Sequence, residues 1–320
     1  MDSFDPDSPA EGNNLFGLPH SADEARIRVL PVPWQGTVSF GKGTAQGPAA
    51  VQAASKQVDL HHPHYGDLIW QAGLSMERPD DRFQGAWSVP RGERDPTQIN
   101  PISEAIDEMV TAWVSDCFDS KKIPALLGGE HSIAFGGLSA ALTRQPKLGV
   151  LHIDAHADLR CAYEGFHRSH ASVFYNLLQQ APGTFRLIQV GLRDLGSKER
   201  DIIQSDARIR SFFDIDLAHA WSEGVPWSEQ IQRILAPLPE HVWISFDVDG
   251  LDPQLCPGTG TPVPGGLNWH QATLLLQTLA GSGRKIIGFD LCEVGASAWD
   301  GNVGARLLYE LAGAALHQSD

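Results

Sequence analysis

Residues 148–158 read Leu148-Gly149-Val150-Leu151-His152-Ile153-Asp154-Ala155-His156-Ala157-Asp158. Six residues, mostly apolar, make a short buried run, and the run then breaks into polar side chains. Its length and composition fit a β-strand covered on both faces, as in a parallel sheet. Asp154, His156 and Asp158 recur at every second position. In extended chain that period puts all three side chains on one face.

Two other stretches behave the same way. Leu126-Leu127-Gly128-Gly129-Glu130-His131-Ser132 is an apolar run that passes two glycines and delivers Glu130 and His131. Ser245-Phe246-Asp247-Val248-Asp249-Gly250 delivers Asp247 and Asp249 on one face, with Leu251-Asp252-Pro253 behind them. A single Asp at a strand end is commonplace. Three deliveries of His and Asp at strand ends, two of them with period two, point to one site, because open α/β sheets bind ligands at the carboxyl ends of their strands.

The chemistry of two His and four Asp is restrictive. Clustered carboxylates repel unless cations neutralise them. Two divalent metals do so, with carboxylates bridging them, and they lower the pKa of a bound water. A ligand set that is mostly oxygen, with two imidazoles and no thiolate, favours Mn²⁺ over structural zinc. Ni, Co, Zn and Fe remain compatible with it.

Further apolar runs at residues 27–32, 123–127, 185–190, 209–213, 242–246 and 285–291 read as buried strands, with helical stretches between them. Asn100-Pro101 reads as a cap and first helical residue, followed by Ile102, Ile106, Met109, Val110, Trp113 and Val114 at helical spacing. Gly47-Pro48 opens another helix, and 303–316 reads as a C-terminal one. Residues 77–98 read as a long surface loop. The expected fold is α/β: a three-layer α/β/α sandwich around a mainly parallel sheet. Residues 1–22 read as an N-terminal arm or flexible lead-in, and 23–320 as a single domain.

The chain has 320 residues, with 42% hydrophobic and 20% charged. No apolar run reaches the ~20 residues that span a bilayer. Met1 to Gly12 lacks the basic-then-apolar order of a secretory signal, so a cytoplasmic location is expected. A net charge of −15 argues against nucleic acid or an anionic membrane as partner. Cys117, Cys161, Cys256 and Cys292 are far apart and read as buried small apolar residues rather than a disulfide framework. The tract His61-His62-Pro63-His64 reads as a loop rather than a metal site.

The three motifs together resemble the ureohydrolase (arginase/agmatinase) family, over a span from about Val32 to the C-terminus. Pro257-Gly258-Thr259-Gly260-Thr261-Pro262 through Gly265-Gly266 resembles the family segment that follows the last ligand. The resemblance implies an arginase/deacetylase-like fold and two Mn²⁺. His131, Asp154, Asp158 and Asp247 would hold one metal, and Asp154, His156, Asp247 and Asp249 the other. It implies hydrolysis of a guanidino compound to urea and an amine, with Asp158 steering a proton. Glu130 would support a ligand from behind. His170, with His167 as its rival, would shuttle a proton to the leaving amine, and Glu293 would bind the guanidinium. Trp34, in Val32-Pro33-Trp34-Gln35-Gly36-Thr37, would line the cleft mouth, although its type suits the core equally. Family members are often trimers or hexamers, so a homo-oligomer is expected.

The stretch from Asp158-Leu159-Arg160 through Tyr163-Glu164-Gly165 to Ser169-His170-Ala171 is similar to agmatinases. It lacks the Ser/Asn-rich loop with which arginases bind the amino-acid end of arginine. Agmatine, a small cationic guanidino substrate, is therefore the first expectation. A guanidino acid such as guanidinobutyrate or guanidinopropionate would need a cation, which Arg160 or Arg168 supplies. Trp299-Asp300-Gly301-Asn302 is less typical of agmatinases and leaves room for another guanidine or a formimino substrate (formimidoylglutamase). A different class is an inactive paralogue serving as an assembly subunit. That reading expects a lost ligand, and none of the six is lost. A metal-dependent deacetylase of related fold is disfavoured by the paired Asp-x-Asp and the intact first cluster.

Overall fold

The computed structural model describes residues 4–81 and 93–317. Among the described residues, eight strands form one sheet: β1 (Ile27–Val32), β2 (Leu74–Met76), β3 (Ile123–Gly128), β4 (Leu148–Ile153), β5 (Arg186–Leu192), β6 (Ile209–Phe213), β7 (His241–Asp247) and β8 (Lys285–Cys292). Their order is β2-β1-β3-β8-β7-β4-β5-β6, and every pairing is parallel. Seven of the eight are the runs expected from sequence. The eighth, β2, is only three residues long and carries no period that would reveal it.

The alternation of side chains along each strand divides the core in two. Ile27, Val29, Leu127, Leu151, Ile153, Ile244 and Phe246 face one layer. Leu30, Val32, Leu126, Leu148, Val150 and Trp243 face the other. The first layer is built by α1 (Gly47–Ser55), α8 (Trp227–Leu235), α9 (Trp269–Ala280) and α10 (Ala298–Leu316). The second is built by α3 (Pro96–Asp119), α4 (Ala134–Arg144) and α5 (Val173–Gln180). A sheet covered on both faces explains why its strands are apolar nearly throughout. The remaining helices are α2 (Leu68–Ala72), α6 (Ser197–Ser205) and α7 (Asp214–Ser222).

Several boundaries differ from expectation. Helix α3 begins at Pro96, not Pro101. Asp95 caps it by accepting from Thr97 N–H at 2.9 Å, and Pro96 takes the first-turn position that suits proline. Pro101 lies inside the helix and forfeits one backbone bond there. The expected loop at 77–98 therefore ends earlier, and its residues 82–92 lie outside the described residues. Helix α10 starts at Ala298 rather than Val303, where Ser297 and Asp300 form a capping box.

The N-terminal stretch is held down along the part described, 4–22, rather than hanging free. Leu15, Phe16 and Leu18 are buried, and Phe16 packs its ring 4.8 Å from that of Tyr309. Asn14 donates to the carbonyls of Leu18, His20 and Leu74. Three of the four cysteines are buried as expected, but Cys161 is exposed, and all four are free thiols.

Candidate metal centre and cleft

Strands β3, β8, β7 and β4 are adjacent in the sheet, and their carboxyl ends bring the three motifs together. His131 follows β3, Asp154 and Asp158 follow β4, and Asp247 ends β7 with Asp249 two residues on. All five are buried, and His156 is partly so.

Donor atoms converge at two points. At the first, His131 Nδ1 lies 3.2 Å from Asp154 Oδ2, 3.0 Å from Asp158 Oδ2 and 3.6 Å from Asp247 Oδ2. At the second, His156 Nδ1 lies 3.0 Å from Asp249 Oδ2 and 3.4 Å from Asp154 Oδ1. Asp154 serves both, one oxygen to each. Its Oδ1 also accepts from His156 N–H at 2.5 Å, which fixes the tight turn after β4.

The donor set fits a pair of divalent cations. The buried Asp158 Oδ2 atom has His131 Nδ1 3.0 Å away but no well-directed hydrogen bond. Burial, reinforced by Asp249 and Asp154, pushes Asp247 well above the usual carboxylate range. Burial and Asp154 likewise push Asp158 up to about 6. Burial works against charging His156, yet Asp249 and Asp154 raise its imidazole to about 12. These groups thus balance one another only by retaining protons that divalent cations would replace.

Backbone strain accompanies this arrangement. Asp158 (φ 54°) and Glu293 (φ 64°) both adopt the left-handed conformation. For Glu this costs on the order of 1 kcal/mol or more. It is held there because Glu293 N–H donates to Gly129 O at 2.8 Å and its Oε1 accepts from His131 N–H at 2.9 Å. Its Oε2 is buried without a partner, beside Gly260, where any Cβ would come within 2.6 Å of it.

A second ring of groups orients the donors, and sequence spacing did not reveal it. His131 Nε2 lies 2.8 Å from Ser245 Oγ, which donates to Asp290 Oδ1 at 2.8 Å. Asp290 is fully buried on β8, and its Oδ2 accepts from Trp243 Nε1 at 2.7 Å. On the other side His152 Nε2 lies 2.8 Å from Asp154 Oδ2 and its Nδ1 lies 3.1 Å from Gln189 Nε2. Such outer partners fix ring orientation and ligand basicity. The only sequence signal was polar residues, Ser245 and Asp290, inside apolar strands.

Beside the donors opens a cleft of about 340 Å³. It is lined by His156, Asp158, His170, Arg160, Tyr163, Asp194 and Glu199, and by Ser39, Phe40, Thr261, Pro262 and Val263. His170 enters this space, whereas His167 does not line it and donates its backbone N–H to Asn100 Oδ1 at 3.1 Å. Burial, with His156 and His131 nearby, lowers the His170 imidazole to about 3, so it is neutral at pH 7. Arg160 stacks its guanidinium 4.6 Å from the Tyr163 ring centre, and its Nε lies 3.5 Å from Glu199 Oε2. Glu199 is otherwise spent on backbone, accepting from Leu159 and Gly196 N–H.

Two expected roles are redirected by the packing. Trp34 is 1% exposed and packs in the core instead of lining the cleft, because the chain doubles back and Glu130 N–H donates to Trp34 O at 2.7 Å. Arg168 points away from the cleft, its Nε 3.3 Å from Asp107 and its guanidinium 4.1 Å from the Phe135 ring. In the His61–His64 tract, His62 Nε2 lies 3.0 Å from Glu310 and His61 Nδ1 lies 2.9 Å from Asp67. Asp300, in the unusual C-terminal stretch, caps α10 and accepts from Gly258 N–H at 3.0 Å. It thereby supports the loop that passes Glu293.

Among the described residues, no helix is long and apolar enough to cross a membrane. The chain is 33% identical over 272 residues to the N(1)-aminopropylagmatine ureohydrolase of Thermus thermophilus, covering 85% of this chain and 83% of that one. It is 34% identical over 309 residues to the guanidinobutyrase of Pseudomonas aeruginosa, covering 93% and 90%. The agmatine ureohydrolase of Thermoplasma volcanium superposes with a TM-score of 0.77 at 23% identity, covering 96% and 95%, a likeness of fold. The profile of the Arginase family matches residues 25–316. With that span and a buried His/Asp cluster at the expected strand ends, this chain belongs to the arginase family of metal-dependent amidinohydrolases.

Proposed function

We propose that the chain hydrolyses a linear guanidinoalkylamine to urea and an amine, with agmatine, which would yield putrescine, as the first substrate. The observation that carries this reading is the buried Asp154 carboxylate shared between two His/Asp groups, whose members His156 and Asp158 line a cleft with mainly acidic lining charges. His131, Asp154, Asp158 and Asp247 would hold one divalent cation, and Asp154, His156, Asp247 and Asp249 the other, with Mn²⁺ the first choice. Such a pair supplies a water nucleophile at neutral pH.

The chain's own groups supply the rest. Glu293 offers one carboxylate oxygen without a partner, Oε2, to accept an N–H of a guanidinium. Asp158 lines the cleft and would steer a proton, and neutral His170, which lines it too, would pass one to the leaving amine. The Arg160 charge is offset by Glu199 and spread over Tyr163, which leaves Asp194 to favour a cationic tail. The relative from Thermus thermophilus, named for an aminopropyl derivative of agmatine, agrees with a long cationic tail.

One observation favours a second reading. Arg160 does line the cleft, and a relative at 34% identity is named a guanidinobutyrase. Urea release by the Mn²⁺-loaded protein, measured across agmatine, N(1)-aminopropylagmatine, arginine, guanidinobutyrate and guanidinopropionate, decides between them. The highest kcat/KM on an amine is expected. Preference for a guanidino acid would transfer the substrate assignment to Arg160, and no urea from any of them would overturn the reading.

A further inference from the structure

The hydroxyl of Thr37 meets three polar atoms. Its Oγ1 lies 2.7 Å from Glu130 Oε1, 3.1 Å from His170 N and 3.1 Å from His170 Nδ1. Thr37 is fully buried, as is Glu130. Glu130 is otherwise filled by donors: Thr37 N–H at 2.7 Å on Oε2, and Ser132 Oγ at 2.6 Å on Oε1.

A hydroxyl has one proton and two lone pairs. The backbone N–H of His170 can only donate, so it takes one lone pair of Thr37. The Thr37 proton goes to Glu130, whose two oxygens serve as acceptors for every neighbour. One lone pair remains, facing His170 Nδ1, and that nitrogen must bring the proton. The other ring nitrogen, Nε2, then carries the free lone pair. It lies 3.5 Å from Ser39 Oγ, on the side where Ser39 lines the cleft. Tyr163 fixes the ring plane, edge-on at 89° with centres 5.9 Å apart.

We propose that Thr37, held by Glu130, is a positioning residue that locks His170 as the Nδ1–H tautomer and so presents a basic Nε2 to the cleft. The use of that nitrogen in proton transfer rests on the hydrolase reading above, whereas the tautomer does not. The device parallels an Asp that orients a catalytic His, with a hydroxyl inserted between carboxylate and ring.

Neutron diffraction from crystals of the deuterated, metal-loaded protein reads the tautomer directly. Deuterium on Nδ1 and none on Nε2 is expected, and deuterium on Nε2 overturns the proposal. Kinetics read the consequence. Thr37→Val, which keeps shape and loses the hydroxyl, should lower kcat for urea release by about 10- to 100-fold with KM little changed. Thr37→Ser should restore most of it. An unchanged kcat in Thr37→Val, or a rise in KM alone, assigns Thr37 to packing and overturns the positioning role. Failure of the wild-type protein on every guanidino compound would sink the hydrolase reading, and the neutron map would still decide the tautomer.

Discussion

Asp154 and His131 face each other across 3.2 Å through only one of the two Asp154 oxygens, and the other is turned to His156 and Asp249. A carboxylate shared in this way ties the two donor groups into one centre. Asp154→Asn is therefore expected to reduce bound metal from two ions to one or none and to abolish urea release. Metal analysis of the purified variant, alongside circular dichroism to verify its fold, tests this. Retention of two ions would remove Asp154 from the centre.

Asp290 does not line the cleft, yet it anchors Ser245 and Trp243 behind His131. Asp290→Asn replaces one acceptor oxygen by a donor and forces either Ser245 or Trp243 to lose its partner. Metal affinity, measured by competition with a chelator, should fall by about 10- to 100-fold. Affinity within twofold of wild type would show that His131 holds its orientation unaided.

Gly129 sits where β3 leaves the sheet, and a Cβ there would lie 2.0 Å from Trp34 O. That backbone cannot retreat, since Glu130 N–H is bonded to the same oxygen. Gly129→Ala should destabilise the fold by ~1–3 kcal/mol or more. Gly183→Ala, where no atom lies within 4 Å of the new Cβ, should change stability by no more than about 0.5 kcal/mol. Equal denaturant midpoints for the two variants would contradict the packing argument.

Asp107 on α3 supplies the pH dependence. Burial outweighs the attraction of Arg168 and pushes its carboxyl up to about 8. The unfolded value is about 3.9. Between the two, the folded protein keeps a proton that the unfolded chain has released, so this group's contribution to stability falls as pH rises. Asp107→Asn removes that titration. The Tm of the variant should gain on wild type from pH 5.5 to 8 and keep a constant lead above 8. A constant difference throughout would mean that the Arg168 pair holds Asp107 ionised.

The sequence by itself determined whatever is encoded locally. Seven strands were legible because a strand buried on both faces is apolar at nearly every position. Five of the six candidate donors stood out as polar side chains two residues apart at or just past the ends of apolar strands, yet β4 ends at Ile153, Asp158 is left-handed and Asp249 lies in a tight helical turn, so turns and not an extended face bring them together. Whatever depends on contacts between distant segments was decided only by the tertiary structure. Register between β7 and β8 brings Asp290 beside Ser245, and the fold carries Thr37 to Glu130 and His170 across about a hundred residues. Trp34 illustrates the same limit, since the same residue type serves a cleft or a core and only its neighbours choose. Burial is a property of the whole packed layer, so the groups that orient the donors, and the protons they hold, appear only when that layer is assembled.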